Sequence, residues 1–448
     1  MNCFSLLFYG FYCQSIYEKA NSNFKGAFKM QGTKKNFWNF GGLFFFYFFI
    51  WATVLTFLPI WLEEQAGLTA KESGYVFSAM SLIALCYQPF FGILSDKLVF
   101  KKNLFATVVC VAMFMGPFFS YVFIPLLDIN IFVGAILGSI YLSFVFYGGV
   151  GVVESYIERA SRTNKFEYGR ARLFGSIAGA TATFVGGVLF VMNPGSIFWI
   201  SSLSAIILAV LLFTAKVNTS NIDNTDQESK QKSEPLTKET ILSIFKIKNF
   251  WMLGLFIIGT ATIYDVFDQQ FPNYYKHFFT TPGEGINVFS KLVTLQIGIE
   301  AILMVFMPFF INKIGAKRGL ILFGWLTFIR ILGSAIAVGP ISLSLVRLIA
   351  AVEMPLLLIS IFKYITSVFD VRLSATIYLL AFNFAKQSSV MIFSSVAGIL
   401  YSATGYQNTY YILSAIVLII TVVSIYTLQN DKKNAIEFRN AQLARKTM

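Results

Sequence analysis

Long apolar runs dominate the chain, from Phe40 to Leu62 at one end to Tyr410 to Leu428 at the other, separated by short stretches richer in Gly, Pro, Asn, Lys and Arg. A transmembrane helix needs about 20 mainly apolar residues. The runs reach that length without the polar–apolar alternation of a barrel strand. Hydropathy predicts about twelve spans: 40–62, 74–94, 103–124, 131–156, 167–191 and 196–214, then 249–274, 288–312, 319–338, 341–367, 373–401 and 408–428. Between the two sets, Lys216 to Thr240 is almost free of apolar residues and reads as a flexible loop. The expected fold is an all-α membrane protein of twelve transmembrane helices in two six-helix pseudo-repeats. Its predicted parts are a cytoplasmic N-terminal extension (1–35), a first half (36–215), a cytoplasmic linker (216–245), a second half (246–430) and a cytoplasmic tail (431–448).

Composition strengthens this picture. The chain is 56% hydrophobic and only 13% charged, against about 25% charged in soluble domains. The net charge of +13 would suggest a nucleic-acid partner if it formed a patch. Instead it alternates between loops: Lys97, Lys101 and Lys102; Arg159, Arg162, Lys165 and Arg170; Lys313, Lys317 and Arg318; and Lys432 to Lys446. The intervening loops are poor in bases, with Lys71, Lys276 and Lys291 as the main exceptions. That alternation is the positive-inside pattern. It predicts a multi-pass protein of the cytoplasmic (inner) membrane with both termini cytoplasmic and a lipid rather than nucleic-acid environment; a monomer is expected. Met1 to Lys29 has an apolar stretch too short to span and no basic region ahead of it, so it reads as an upstream extension rather than a signal peptide. The four cysteines have no metal or redox spacing. No phosphate-binding loop or paired-histidine motif appears, and His277, the sole histidine, falls in an outward loop. No cofactor or metal is expected, and no nucleophile–base pair suggests an enzyme.

A short motif repeats between the halves. Gly92-Ile93-Leu94-Ser95-Asp96-Lys97 follows the second span, and Asn312-Lys313-Ile314-Gly315-Ala316-Lys317-Arg318 follows the eighth as a degenerate copy. Six helices, a linker and six more, with a repeated loop, resemble the major facilitator layout, in which substrate binds between the halves.

Ionisable residues at membrane depth are expensive and are functional candidates by default. In the first half, Glu154 lies late in the fourth span and Arg172 early in the fifth, so antiparallel neighbours would pair them. Both could instead belong to the charged loop between. The second half carries four acids (Asp265, Asp268, Glu300, Glu353) and three bases (Arg330, Arg347, Lys386). Pairing leaves one carboxyl over, and a buried carboxyl without a cation beside it takes up a proton. This is what a proton-coupled carrier needs, although a static network with one acid reaching water would have the same count. Lys386 could pair with Asp265 or with Asp268. Trp51 and Tyr147 are candidate aromatic platforms, or simple packing residues.

The stretches FWNFGGLFFFYFFI (from Phe37), QPFFGILSDKL (from Gln88), FEYGRARLFGS (from Phe166), YDVFDQQF (from Tyr264) and FKYITSVFDVRLSATIYL (from Phe362), with the run around Lys386-Gln387, carry a family resemblance. From Asn36 to Leu428 the chain resembles the lactose-permease family of oligosaccharide–proton symporters. The resemblance implies symport of a sugar with a proton by alternating access. It implies that Glu154 and Arg172 bind sugar, a guanidinium fork being suited to adjacent hydroxyls, and that Asn273 belongs to the sugar site. Glu353 matches the carboxyl that carries the proton and Arg330 the arginine that helps deprotonate it. Tyr264, Asp268 and Arg347 match the coupling network, where the lactose carriers have lysine in place of Arg347. Asp265 and Lys386 match a structural ion pair of the family and are counted with the candidate substrate-binding residues.

The chain departs from the lactose carriers at the residues that contact sugar. Their stacking tryptophan is Gly179 here and their histidine of the tenth helix is Ala350. Their glutamate of the eighth helix falls at Ile297, with Glu300 one turn later. The family's sucrose carriers share the displaced glutamate, Tyr147 and Gly151. The expected function is therefore proton-coupled uptake of a disaccharide or small oligosaccharide, with sucrose or an α-galactoside preferred to lactose. A lactose carrier, a carrier of a non-sugar solute such as a nucleoside, and a sugar sensor on the same fold are the alternatives.

Overall fold

The computed structural model describes residues 34–97, 102–164, 166, 168–215, 244–369 and 373–431. The N-terminal extension, most of the linker and nearly all of the tail lie outside them. The described residues are overwhelmingly helical. In the first half α1 is Lys34–Glu64, α2 Ala70–Lys97, α3 Asn103–Met113 continuing through a 42° bend as Met115–Ile129, α4 Ile131–Ser161, α5 Tyr168–Met192 and α6 Ser196–Thr214. In the second half α7 is Lys248–Lys276, α8 Pro282–Ile314, α9 Ala316–Ile336 and α10 Pro340–Val368. The last run, Tyr378–Thr427, is 50 residues long. At about 1.5 Å per residue it would be about two and a half times as long as a bilayer core is thick. Gly405, with φ of 81°, breaks it into α11 (378–404) and α12 (406–427). Among the described residues ten helices are long and apolar enough to cross a membrane, or eleven with the bent α3 taken as one span, and the break at Gly405 divides the last of them. The Gly92–Lys97 motif, expected in a loop, forms the last turns of α2.

The helices are less regular than hydropathy suggests. α7 is interrupted at Thr260 (φ −123°, ψ −65°), and α10 is broken between Arg347 and Ala350. Wide π-helical turns occur at Phe118–Phe123, Phe144–Gly148 and Tyr378–Phe384. Such breaks cluster where function needs a re-aimed side chain, and two of these lie beside charged residues of α7 and α10.

The pseudo-repeat is visible at the end of the bundle that carries the linker. Lys102, at the start of α3, donates from Nζ to the carbonyls of Leu212 (2.6 Å) and Ala215 (2.5 Å), which end α6. Lys317, at the start of α9, donates to Ile425 (2.7 Å) and Leu428 (2.5 Å), which end α12. These are equivalent positions six helices apart, each placing a cation on the orphan carbonyls of a helix C-terminus. Asp431, read from the sequence as the first residue of the tail, is buried and accepts from the Ala316 amide at 2.7 Å.

Polar ties between the halves gather at the opposite end. Asn273 Nδ2 donates to the Pro59 carbonyl (3.2 Å), and the Lys71 amide donates to Ser402 Oγ (3.1 Å). Ser78 and Ser395 share a hydrogen bond of 2.7 Å, as do Thr183 and Thr294 at 2.9 Å. Small residues permit this approach, as usual between membrane helices: a Cβ on Gly74 would lie 2.6 Å from the Ser394 carbonyl. The halves are therefore closed on each other at the end opposite the linker.

Candidate functional site

Helices α4 and α5 run antiparallel, which brings Glu154 and Arg172 together as the charge positions predict. Arg172 Nε lies 3.0 Å from Glu154 Oε1, and both are buried. The guanidinium rests over the Phe48 ring at 4.3 Å, with Phe44 at 5.7 Å. Phe48 has no polar group to mark it in the sequence, where it is one of a run of phenylalanines. It carries the cation through its ring quadrupole.

In the second half, α7 presents Tyr264, Phe267 and Phe271 on one face, spaced by three and four residues. The Arg330 guanidinium sits 4.5 Å from the Tyr264 ring centroid and 4.8 Å from that of Phe267, and Arg347 sits 4.9 Å from that of Phe271. Asp268 projects between them, and its Oδ1 receives Arg330 Nη1 at 2.7 Å and Arg347 Nη1 at 2.6 Å. Arg330 Nε lies 2.6 Å from Glu353 Oε2, and both side chains are 0% exposed. Asp268, Glu353, Arg330 and Arg347 thus form one neutral network spanning α7, α9 and α10. Lys386 on α11 pairs with Asp265, not Asp268, at 2.8 Å, which resolves the alternative left by the sequence.

With these acids matched, the carboxyl left over is Glu300. It lies on α8, one turn after buried Gln296, is half-buried, and forms no ion pair among the described residues. Both Arg172 of the first half and Arg347 of the second lie within electrostatic reach of it. The charge count correctly foresees one surplus acid, but in this conformation Glu353 is not that acid. Arg330 reaches both Asp268 and Glu353, a sharing that sequence spacing does not reveal.

Asn273, expected with the sugar-site residues, sits in the closed seam, where it donates to the Pro59 carbonyl and to Gln270 Oε1 at 3.1 Å. Nearby, Lys276 is not the outward-loop residue that the charge pattern suggested. It ends α7, is 5% exposed, and lies 2.9 Å from Glu64 and 3.3 Å from Glu63 of the other half. Tyr147 occupies the π-helical turn of α4, and Trp51 lies one turn after Phe48 on α1, both half-buried. No group of three or more potential metal-binding side chains occurs among the described residues.

A helical bundle of two similar halves, closed on each other at one end and holding buried charges between its ends, has the architecture of the major facilitator fold. The solved nucleoside transporter NupG shares this fold, with a TM-score of 0.73 at 14% identity over 88% of this chain and 99% of that one.

A family model for the LacY proton/sugar symporters matches residues 29–441. The raffinose permease of Escherichia coli is 44% identical over 401 residues, covering 89% of this chain and 94% of that protein. The melibiose permease of Enterobacter cloacae is 44% identical over 400 residues, with the same coverage. A lactose permease of Klebsiella oxytoca is 40% identical over 383 residues, covering 86% of this chain and 92% of that protein. The chain belongs to the LacY family of proton/sugar symporters, and is a transporter rather than an enzyme.

Proposed function

We propose that the protein takes up a small oligosaccharide together with a proton across the cytoplasmic membrane, that both its termini are cytoplasmic, and that an α-galactoside or sucrose is preferred to lactose. The observation that carries the coupling reading is the fully buried Arg330–Glu353 pair joined to Asp268 and Arg347. The loss of the lactose carriers' aromatic and histidine at Gly179 and Ala350, together with kinship to raffinose and melibiose permeases, favours an α-galactoside. With the linker end cytoplasmic, the closed seam faces outward and the conformation is inward-facing.

In this mechanism Glu154 accepts from sugar hydroxyls and Arg172 donates to them, held in place by Phe48. Glu353 carries the proton as the neutral acid while the outer side is open. Once the inner side opens, Arg330 approaches Glu353, favours its carboxylate, and the proton leaves to the cytoplasm. Tyr264, Asp268 and Arg347 set where the Arg330 guanidinium rests. Glu300, between the two clusters, senses both. Asp265 and Lys386 hold α7 against α11 beside the site.

Addition of sugar to de-energised cells should make the medium alkaline. Glu353→Gln should abolish that signal and uphill accumulation while sparing sugar exchange. Accumulation of sugar by the wild-type chain without proton movement would refute the coupling.

A further inference from the structure

The first half contains an aromatic side chain that the transport scheme above does not use. The indole Nε1 of Trp51 is buried and meets no hydrogen-bond acceptor among the described residues, a state it shares with other buried side chains. An unmet buried donor is costly, so it is available to a ligand hydroxyl. Trp51 lies one turn along α1 from Phe48, on nearly the same face, and the two rings are 6.4 Å apart.

The register of α1 against α5 gives the level of Trp51 along the bundle. A Cβ on Gly175 would lie 3.1 Å from the Phe48 ring, and one on Gly186 would lie 2.7 Å from the Phe57 ring. The level of Trp51, between Phe48 and Phe57, therefore corresponds to the level of Gly179, one turn beyond Gly175.

Gly179 differs from its neighbours. A Cβ on Gly175 would meet Arg172 Nη1 at 2.6 Å, and one on Gly187 would meet Ser290 Oγ at 2.1 Å, so both are small because packing demands it. A Cβ on Gly179 would meet only Ile297, at 3.8 Å, an ordinary contact. Helix packing does not require glycine there. One turn further on, the Thr183–Thr294 bond and the Gly187–Ser290 contact seal α5 to α8. Gly179 thus lies one turn from this seal, on the side toward Arg172, which is two turns away on the same helix.

We propose that Trp51 is the aromatic platform of the sugar site, and that Gly179 is small to admit the sugar ring between Trp51 and Ile297. This rests on the sugar-transport reading above. The indole offers a rigid face for the C–H side of a pyranose and an N–H for one ring hydroxyl. Arg172 and Glu154 hold further hydroxyls nearer the linker end. Glycine at 179 also leaves room for a sugar longer than a disaccharide, so raffinose-sized substrates belong to the class this site takes.

The test is initial-rate uptake of radiolabelled raffinose, melibiose, sucrose and lactose by cells with matched membrane levels of each variant. Trp51→Phe keeps a ring and removes the N–H, and should raise KM about 3- to 10-fold with Vmax retained. Trp51→Leu should raise KM further, and Gly179→Leu should raise KM more for raffinose than for the disaccharides. If Trp51→Leu fails to reach the membrane, the Trp51→Phe and Gly179→Leu results decide. Wild-type KM in Trp51→Phe with uniform losses across the four sugars in Gly179→Leu overturns the proposal, as does a change confined to Vmax, which marks a packing role. Failure of the wild-type chain to carry any of the four sugars overturns the transport reading on which it rests.

Discussion

Lys276 is nearly inaccessible, but its two partners are not: Glu63 is 31% and Glu64 23% exposed. The cluster joins α7 of one half to the end of α1 in the other, so it must break whenever the closed end opens. Removing one side of a fully buried ion pair costs about 3–5 kcal/mol, whereas an exposed pair contributes about 0–1 kcal/mol. With the lysine buried and the carboxylates partly wetted, Glu63→Gln with Glu64→Gln should weaken the closed end by about 1–3 kcal/mol, a 5- to 150-fold shift in the opening equilibrium. The assay is labelling of Ser78→Cys, whose side chain lies in the seam against Ser395, by a membrane-impermeant maleimide on intact cells in a cysteine-free background. Labelling should speed up within that range. Adding Lys276→Met to the double variant should slow it again, because a fully neutral cluster no longer strands a buried cation. Equal labelling rates with and without the carboxylates would show that the ion pair does not hold the seam.

Two further outcomes follow from the geometry. Asp265→Asn alone should take a carboxylate from buried Lys386 and cost at least tenfold in transport rate, whereas Asp265→Asn with Lys386→Met should recover much of it if the pair is structural; uptake measured with both variants and the wild-type chain checks this. Gly187→Leu, whose Cβ alone would lie 2.1 Å from Ser290 Oγ, should prop α5 from α8 and speed labelling of the same seam cysteine, and unchanged labelling would show that α5 and α8 do not form the closure.

Much of this arrangement is legible in the sequence, because membrane spans and intramembrane charges obey strong rules. Run length yields the twelve spans, and antiparallel adjacency yields the Glu154–Arg172 pair. What stays hidden depends on side-chain reach and on breaks in periodicity. Arg330 serves two acids at once, so counting charges gives one surplus acid without saying which of the four it is. α10 is broken between Arg347 and Ala350, so the spacing of an ideal helix does not place Arg347 relative to Glu353. Lys276 looks like a loop residue because it ends an apolar run, and its burial comes from the other half closing over it. Lys102 and Lys317 read as topological charges, yet each also binds the open carbonyls of a neighbouring helix.

The unmatched carboxyl on α8 has an electrical consequence. Among the described residues at mid-membrane, Glu154 cancels Arg172, Asp265 cancels Lys386, and Asp268 with Glu353 cancels Arg330 with Arg347, which leaves Glu300 as the one acid without a counter-charge. With one proton bound the loaded core is neutral, and the sugar adds no charge, so the sugar-bearing transition would be silent to voltage. An empty protein that returned with Glu300 ionised would carry a net negative charge, which a membrane potential, negative inside, pushes outward with up to about 2.3 kcal/mol per 100 mV if the whole field is crossed. In that case voltage would drive the reset of the cycle and not the delivery of its cargo.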